Sequence, residues 1–553
     1  MSSVLETSYF PADVSDPIEE QTVGGLLREC AADSPNLIAI REVVPTQSHS
    51  LSGAAETDRT WTFAELLDEA EGCAHYLLSR FDCGDRITVW APNVPEWMIL
   101  QYGAALAGMV LVTANPPLGA EELAYVLSQS QSRGRFHTGK FRGGDMAAVA
   151  SEAISISGEE VLAVNFEEWD RQVRGWAGER GALPEVSPDD NAQIQYTSGT
   201  TGVPKGALLH HRGLVNNADF VSRRGRFPER GSVVSAMPLF HTAGCGILVL
   251  GAAQRRMSIG LIQYFDPTAV LDATAVLDAA ERFHADVVSG VPTMLIAMIN
   301  DASFASRDFS ACSVVVSGGS SVPPELVSTV ESAFGAGFSI VYGQTEASPV
   351  ITQTSPADTP EDKSETVGLA LPQVEVKISD VVTGDSVPLG EQGEICARGY
   401  LVMTEYFRNP EASADTVDKD GWLHTGDLGT MDERGYVRVT GRLKDMIIRG
   451  GENIYPREVE SVIFTHPKIL DVAVVGVPDE VWGERVVAVI RWKDESDQPT
   501  AAELVEFCTE RLARHKAPKE WFSAEAFPLT GSGKIQKYRI ASLVGEGVYG
   551  VVN

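Results

Sequence analysis

Short apolar runs rich in valine and isoleucine recur through the first two thirds of the chain, at residues 86–90, 233–236, 286–289, 313–317 and 339–342. Between several of them lie longer stretches with helical spacing of apolar positions, an alternation that predicts α/β layers on largely parallel sheets. A helix is predicted over 62–79, where Thr62 can cap and Glu65 follows three positions later, and another over 324–334. The most apolar stretch, 97–112, is broken by Gln101, Gly103 and Gly108. That is too short and too interrupted to span a bilayer, and it reads as a core helix running into a buried strand at 109–112.

Beyond about residue 370 the texture changes to closely spaced strands and turns, at 374–378, 393–398 and 436–440, which predicts a mainly β subdomain. Residues 441–445 then lead towards a new helix at Pro456, where proline suits a first turn. The principal boundary is placed there, giving an N-terminal domain of residues 1–442, a hinge at 443–445 and a small C-terminal α/β domain of 446–553. The last contains helices at 456–464 and 501–512 and strands at 472–477 and 485–492. A chain of 553 residues exceeds what one core usually organises, in keeping with this division. Residues 43–59 form a polar interruption between two strands, read as a surface loop or hairpin. The hexapeptide TAVLDA, at 268–273 and again at 274–279, is a small duplication within one helix, with a period too short for a repeat fold.

A hydrophobic fraction of 44% with 22% charged residues is that of a globular chain. The net charge of -32 repels polyanions and excludes a nucleic-acid groove or anionic membrane surface as the main partner. Seven scattered cysteines, with no CxxC pair, read as reduced thiols of a cytoplasmic protein, mostly buried. No basic residue precedes Arg28, so the opening residues lack the pattern of an export signal.

The densest chemistry lies in Thr197, Ser198, Gly199, Thr200, Thr201, Gly202, Val203, Pro204, Lys205 and Gly206, directly after a β-like run at 193–196. Small hydroxyl residues and glycines let backbone N–H groups approach phosphate oxygens, and Lys205 adds a point charge. It is not a Walker A loop, which needs glycine before the lysine and Ser or Thr after it; Pro204 and Gly206 stand there instead.

Further blocks follow in order: Tyr342, Gly343, Gln344, Thr345 and Glu346; Thr425, Gly426 and Asp427; Gly441 and Arg442 through Asp445; Gly450, Gly451, Glu452 and Asn453; and Pro528 through Lys534. Together they resemble the signatures of the adenylate-forming superfamily, which includes acyl-CoA synthetases, peptide-synthetase adenylation domains and firefly luciferase. The resemblance runs from about Thr22 to Ile540 and is nearest to the medium-chain acyl-CoA synthetases.

The resemblance implies a large N-terminal domain of layered α/β subdomains plus a β subdomain, with a mobile C-terminal domain. It assigns the 197–205 loop to the ATP phosphates, Tyr342, Gly343 and Gln344 to the adenine, Thr345 and Glu346 to catalysis, and Glu346 to Mg²⁺, which requires oxygen ligands. Asp427 and Arg442 resemble the residues that hold the ribose. Lys534 resembles the lysine that neutralises carboxylate and α-phosphate during adenylation, an electrostatic role. Lys444 occupies the hinge position, and Gly450, Gly451, Glu452 and Asn453 resemble the loop beside the coenzyme A channel; two glycines in a tight turn are the plainer reading of that segment. His241 resembles the aromatic position beside the acid pocket and is assigned positioning, not proton transfer. Ser317, Gly318 and Gly319 would line the same pocket, and the serines of this segment favour a less purely aliphatic acid. His210 and His211, as neighbours, point to different faces and are read as packing residues, not a metal pair.

The expected function is thus an ATP-dependent acid–CoA ligase: acid and ATP give acyl-AMP and pyrophosphate, then coenzyme A gives the thioester and AMP, for a medium-chain fatty or aromatic carboxylic acid. Transfer to a carrier protein or an amine, or activation of nitrite for diazotisation, is the alternative. Which acid, which acceptor and what oligomeric state are left open by the sequence.

Overall fold

The computed structural model describes residues 5–43, 59–197, 204–263, 270–320, 322–479, 481–529 and 535–552. The chain divides into two compact units, one of Phe10–Val376 with Ala397–His424, the other of Met1–Tyr9 with Lys377–Cys396 and Thr425–Asn553. The α/β character expected from the alternating runs is present in both.

The larger unit is built on a seven-stranded and a nine-stranded sheet. In the first, Arg86–Trp90 runs parallel to Val110–Ala114 and to Gly134–His137, and Asn191–Thr197 continues the parallel set before Lys205–His210 returns antiparallel to it. In the second, Ser232–Ser235, Val287–Ser289, Val314–Gly318 and Gly337–Gly343 lie parallel and adjacent. Both faces of such strands are covered by helices, which is why they read as continuous apolar runs.

Several elements follow directly from local sequence. The helix Phe63–Leu78 starts at Thr62, whose hydroxyl accepts from Glu65 N–H while the Glu65 carboxylate accepts from Thr62 N–H, the reciprocal box expected from the spacing. Pro95–Leu106 is mostly apolar around its circumference, and all twelve residues, Glu96 and Gln101 included, are buried. The strands Ile38–Val43 and Thr60–Thr62 pair antiparallel, while the polar stretch between them lies outside the described residues. The duplicated hexapeptide enters the helix Val270–Arg282, its first copy lying partly outside the described residues.

In the smaller unit, a long hairpin pairs Ile469–Asp479 with Gly483–Trp492 at the centre of a six-stranded sheet. Alternation explains its valine-rich run: Val472 and Val474 join Val459 and Leu504 in one core, whereas Ala473 and Val475 join Ile540 and Val544 in another. The helices Pro456–Phe464 and Ala501–Thr509 cover the first face and Lys537–Gly545 the second.

Candidate active site

Parallel strands present ligands at their carboxyl ends, where chain turns and helix starts converge. Thr197 ends Asn191–Thr197, Ser317 and Gly318 end Val314–Gly318, Tyr342 and Gly343 end Gly337–Gly343, and His241 follows Ser232–Ser235 by a short turn. The larger unit therefore brings the expected phosphate, adenine and acid positions to strand ends of its two sheets.

Thr197 and Lys205 face each other across the antiparallel pair, with Thr197 Oγ1 3.5 Å from Lys205 O. Tyr125 Oη donates to Pro204 O at 2.9 Å, and Tyr196 Oη donates to Gln129 Oε1 at 2.5 Å, so both stems of the loop are anchored. Ser198, Gly199, Thr200, Thr201 and Gly202 lie outside the described residues. Lys205 makes no ion pair among the described residues; its Nζ lies 4.9 Å from the centre of the Tyr406 ring.

The Tyr342 to Glu346 block turns sharply. A register shift falls between Tyr342 and Gly343, and a Cβ on Gly343 would lie 2.0 Å from Pro349 O, so only glycine fits. A short 3₁₀ turn, Thr345–Ala347, then buries Thr345 and Glu346. Among the described residues the Glu346 carboxylate accepts one hydrogen bond, from Tyr406 Oη at 2.5 Å, and Met403 N–H donates to Glu346 O at 2.8 Å. Burial, with the Glu346 charge adding to it, pushes the Tyr406 phenol above its ordinary value, so Tyr406 remains a donor. Glu346 is 7% exposed and has no cation partner among the described residues. A buried carboxylate in that state is costly unless a cation meets it, and a hard oxygen donor is what magnesium selects. Glu346 fits the metal expected from the sequence.

His241 precedes a π-helical turn, Ala243–Leu248. It packs edge-on against Phe240, and its segment is tied down by polar side chains that no motif announced. Asn93 Nδ2 donates to Met237 O and Ile262 O, each at 3.0 Å, and Asn93 Oδ1 accepts from Leu239 N–H at 2.8 Å. Thr113 Oγ1 donates to Phe240 O at 2.8 Å, and Gln101 Nε2 donates to Cys245 O at 3.1 Å. Gln101, which marks the core helix as imperfectly apolar, was the one available sequence signal for this tie. Ser317 is buried with no partner for its hydroxyl among the described residues, and a Cβ on Gly318 would meet Val341 O at 2.4 Å. Gly319 is exposed with φ +76°, left-handed backbone that favours glycine.

The histidine pair is resolved by its partners. His210 caps the helix His211–Arg224, Nδ1 accepting from Gly213 N–H at 2.9 Å, and its Nε2 lies 3.2 Å from Val402 O. His211 is buried, which holds its imidazolium down to about 4, and Nδ1 accepts from Val23 N–H. All seven cysteines are free, and only Cys83 is exposed.

The remaining expected residues belong to the smaller unit. Asp427 and Arg442 are cross-strand neighbours, with Arg442 Nε 2.9 Å from Asp427 Oδ1. Asp427 N–H donates to Thr425 Oγ1 at 3.1 Å, within the strand Leu423–Met431 that bears the carboxylate. Lys444 is exposed on the 3₁₀ turn Leu443–Asp445. Gly450 and Gly451, with φ +61° and +86°, form a two-residue hairpin turn between Ile447–Arg449 and Glu452–Ile454, a turn whose geometry calls for positive φ at both positions. Gly450 also lies against Trp482, where a Cβ would come within 2.9 Å of the ring. Glu452 and Asn453 are exposed. Lys534 lies outside the described residues.

A layered α/β unit with such strand ends and a separate small α/β unit define an adenylate-forming ligase. The pattern of the AMP-binding enzyme family matches residues 27–407, and that of the AMP-binding enzyme C-terminal domain matches 458–534. The human medium-chain acyl-CoA ligase ACSF2, mitochondrial, is 35% identical over 96% of this chain and 89% of its own. Its Danio rerio counterpart is 34% identical over 97% and 90%. Among solved structures, ATP-bound MatB from Rhodopseudomonas palustris superposes with a TM-score of 0.83 at 28% identity, covering 94% of this chain and 99% of its own. The o-succinylbenzoate CoA synthetase MenE of Bacillus subtilis, in complex with the acyl-adenylate OSB-AMP, gives 0.80 at 28%, covering 94% and 98%. The chain belongs to the AMP-binding enzyme family and is an AMP-forming ligase of the acyl-CoA synthetase type. Among the described residues no helix is long and apolar enough to cross a membrane.

Proposed function

We propose that this enzyme converts a medium-chain or aromatic carboxylic acid and ATP to acyl-AMP and pyrophosphate, and then transfers the acyl group to coenzyme A. The observation that carries the first half-reaction is the cation of Lys205 over the ring, and the buried carboxylate of Glu346 on the hydroxyl, of one tyrosine, Tyr406. Lys205 would hold a phosphate oxygen, and Glu346 would hold magnesium. Bound magnesium would supply charge against the phosphate oxygens as pyrophosphate departs. The ribose would be held by Asp427 with Arg442, the adenine by Tyr342 to Gln344. His241 and Ser317 to Gly319 would border the acid, and Lys534 would neutralise the charge shared by carboxylate and α-phosphate.

For the second half-reaction, the small domain beyond Lys444 would turn and present the exposed hairpin at Gly450 and Gly451 to the pantetheine arm. The names of the human and Danio relatives support a medium-chain acid. The buried hydroxyl of Ser317, without a partner among the described residues, supports an acid with some polarity beyond its carboxylate. Free, mostly buried thiols support a reducing compartment such as the cytoplasm. Pyrophosphate release measured over a panel of aliphatic, aromatic and inorganic acids, with and without coenzyme A, tests the reading. Release with a medium-chain or aromatic acid, and thioester only when coenzyme A is added, is expected. Adenylate formation followed by indifference to coenzyme A would point to a carrier protein or amine instead.

A further inference from the structure

We propose that Tyr406 is a positioning residue for adenylate formation, orienting the Glu346 carboxylate through its hydroxyl and seating Lys205 on its ring; the proposal rests on the roles given to those two residues above. None of the signature blocks contains Tyr406. It reaches them through strand pairing. The short strand Glu405–Tyr406 pairs antiparallel with Lys205–His210, Tyr406 opposite Ala207, and Thr404 N–H and Phe407 N–H donate to Leu208 O and Gly206 O at 2.9 and 2.8 Å. Lys205 is two residues before Ala207 and so shares its side of the strand. The same segment is bonded to the opposite partner through Met403 N–H to Glu346 O at 2.8 Å. Backbone hydrogen bonds thus fix the tyrosine between the strand of the phosphate-loop lysine and the turn of the carboxylate.

The side chain then completes the link. Its hydroxyl is the one hydrogen-bond donor on the Glu346 carboxylate among the described residues, at 2.5 Å, and its ring lies under the Lys205 ammonium at 4.9 Å. Tyr406 is 5% exposed and Glu346 7%, so water does not compete readily for either contact. A carboxylate that spends one lone pair on a fixed phenol has its other oxygen turned to a defined direction, which is what a metal of strict octahedral geometry needs. An ammonium over an aromatic face is held without being neutralised, so its charge stays available to a phosphate.

The two contacts are separable. Tyr406→Phe removes the hydroxyl and keeps the ring; Tyr406→Leu removes both. ATP affinity measured by calorimetry, with and without magnesium, should show that Tyr406→Phe binds metal-free ATP like the wild type and loses about tenfold of the affinity that magnesium adds, as expected for a lost hydrogen bond to a charged group. The half-saturating magnesium concentration for pyrophosphate exchange should rise in step, and Tyr406→Leu should lose metal-free affinity as well. The magnesium loss should vanish when Tyr406→Phe is made on a Glu346→Gln background, whereas a merely structural tyrosine would cost the same on both. Wild-type magnesium dependence in Tyr406→Phe, or an equal cost on both backgrounds, overturns the proposal. Wild-type enzyme whose ATP affinity ignores magnesium overturns the underlying assignment of Glu346 instead.

Discussion

Gly343 and Lys534 stand for two ways one residue can bear on this enzyme, the first seen in its packing and the second proposed. At Gly343 the constraint is steric: the backbone passes so close to Pro349 O, 2.0 Å from where a Cβ would stand, that any side chain would displace the turn from Tyr342 to Glu346. The role proposed for Lys534 is electrostatic and confined to the adenylation step. Lys534→Ala is expected to cut pyrophosphate exchange by about a hundredfold or more, the scale of losing one preorganised charge partner in a transition state. Thioester formation from supplied acyl adenylate should stay within a few fold of wild type, because the proposed reading gives that step to a different loop. Parallel assays of the two half-reactions decide it, and equal losses would contradict the rotating-domain picture.

At the scale of elements, the placement of His241 depends on a polar clamp inside an apolar helix neighbourhood. Asn93, 5% exposed, makes three side-chain hydrogen bonds to the backbone around residues 237–262, and Gln101 adds one from the all-buried helix Pro95–Leu106. Removing Asn93 leaves buried backbone groups unpaired, at about 1–3 kcal/mol for such a group. Asn93→Ala is therefore expected to lower the thermal midpoint and to raise KM for the acid several fold while KM for ATP changes little. A proportional change in both constants would mean that the clamp serves general packing and not the acid side. The sequence carries no sign of this clamp beyond Gln101, because a hydrogen bond between residues more than a hundred positions apart leaves no spacing to read.

For the molecule as a whole, the net charge of -32 sets the background. Like charges at that density repel in the folded state, and salt shortens their reach from about 10 Å at 0.1 M to about 3 Å at 1 M. Exposed ion pairs such as Arg28–Glu71 weaken under the same conditions, but each contributes only about 0–1 kcal/mol. The thermal midpoint is therefore expected to rise between 0.02 and about 0.5 M sodium chloride, measured by calorimetry without ligand, and a fall would show that ion pairing outweighs repulsion. Against the same background, the hold on an anionic nucleotide proposed for Lys205 is one that local charge has to supply.

Local order was legible in the chain itself. The capped helix at Thr62, the proline-led helices at Pro324 and Pro456 and the buried valine-rich strands each rest on forces acting within a few residues, so spacing and residue type determine them. The paired glycines at 450 and 451 were legible as a turn for the same reason. Folding alone decided what meets across sequence: Tyr406 between Lys205 and Glu346, Asn93 beneath the His241 turn, and alternate valines of one strand shared between two cores. Those contacts arise from sheet register and layer packing, which sum over many weak, distant interactions and have no signature in any single stretch of residues.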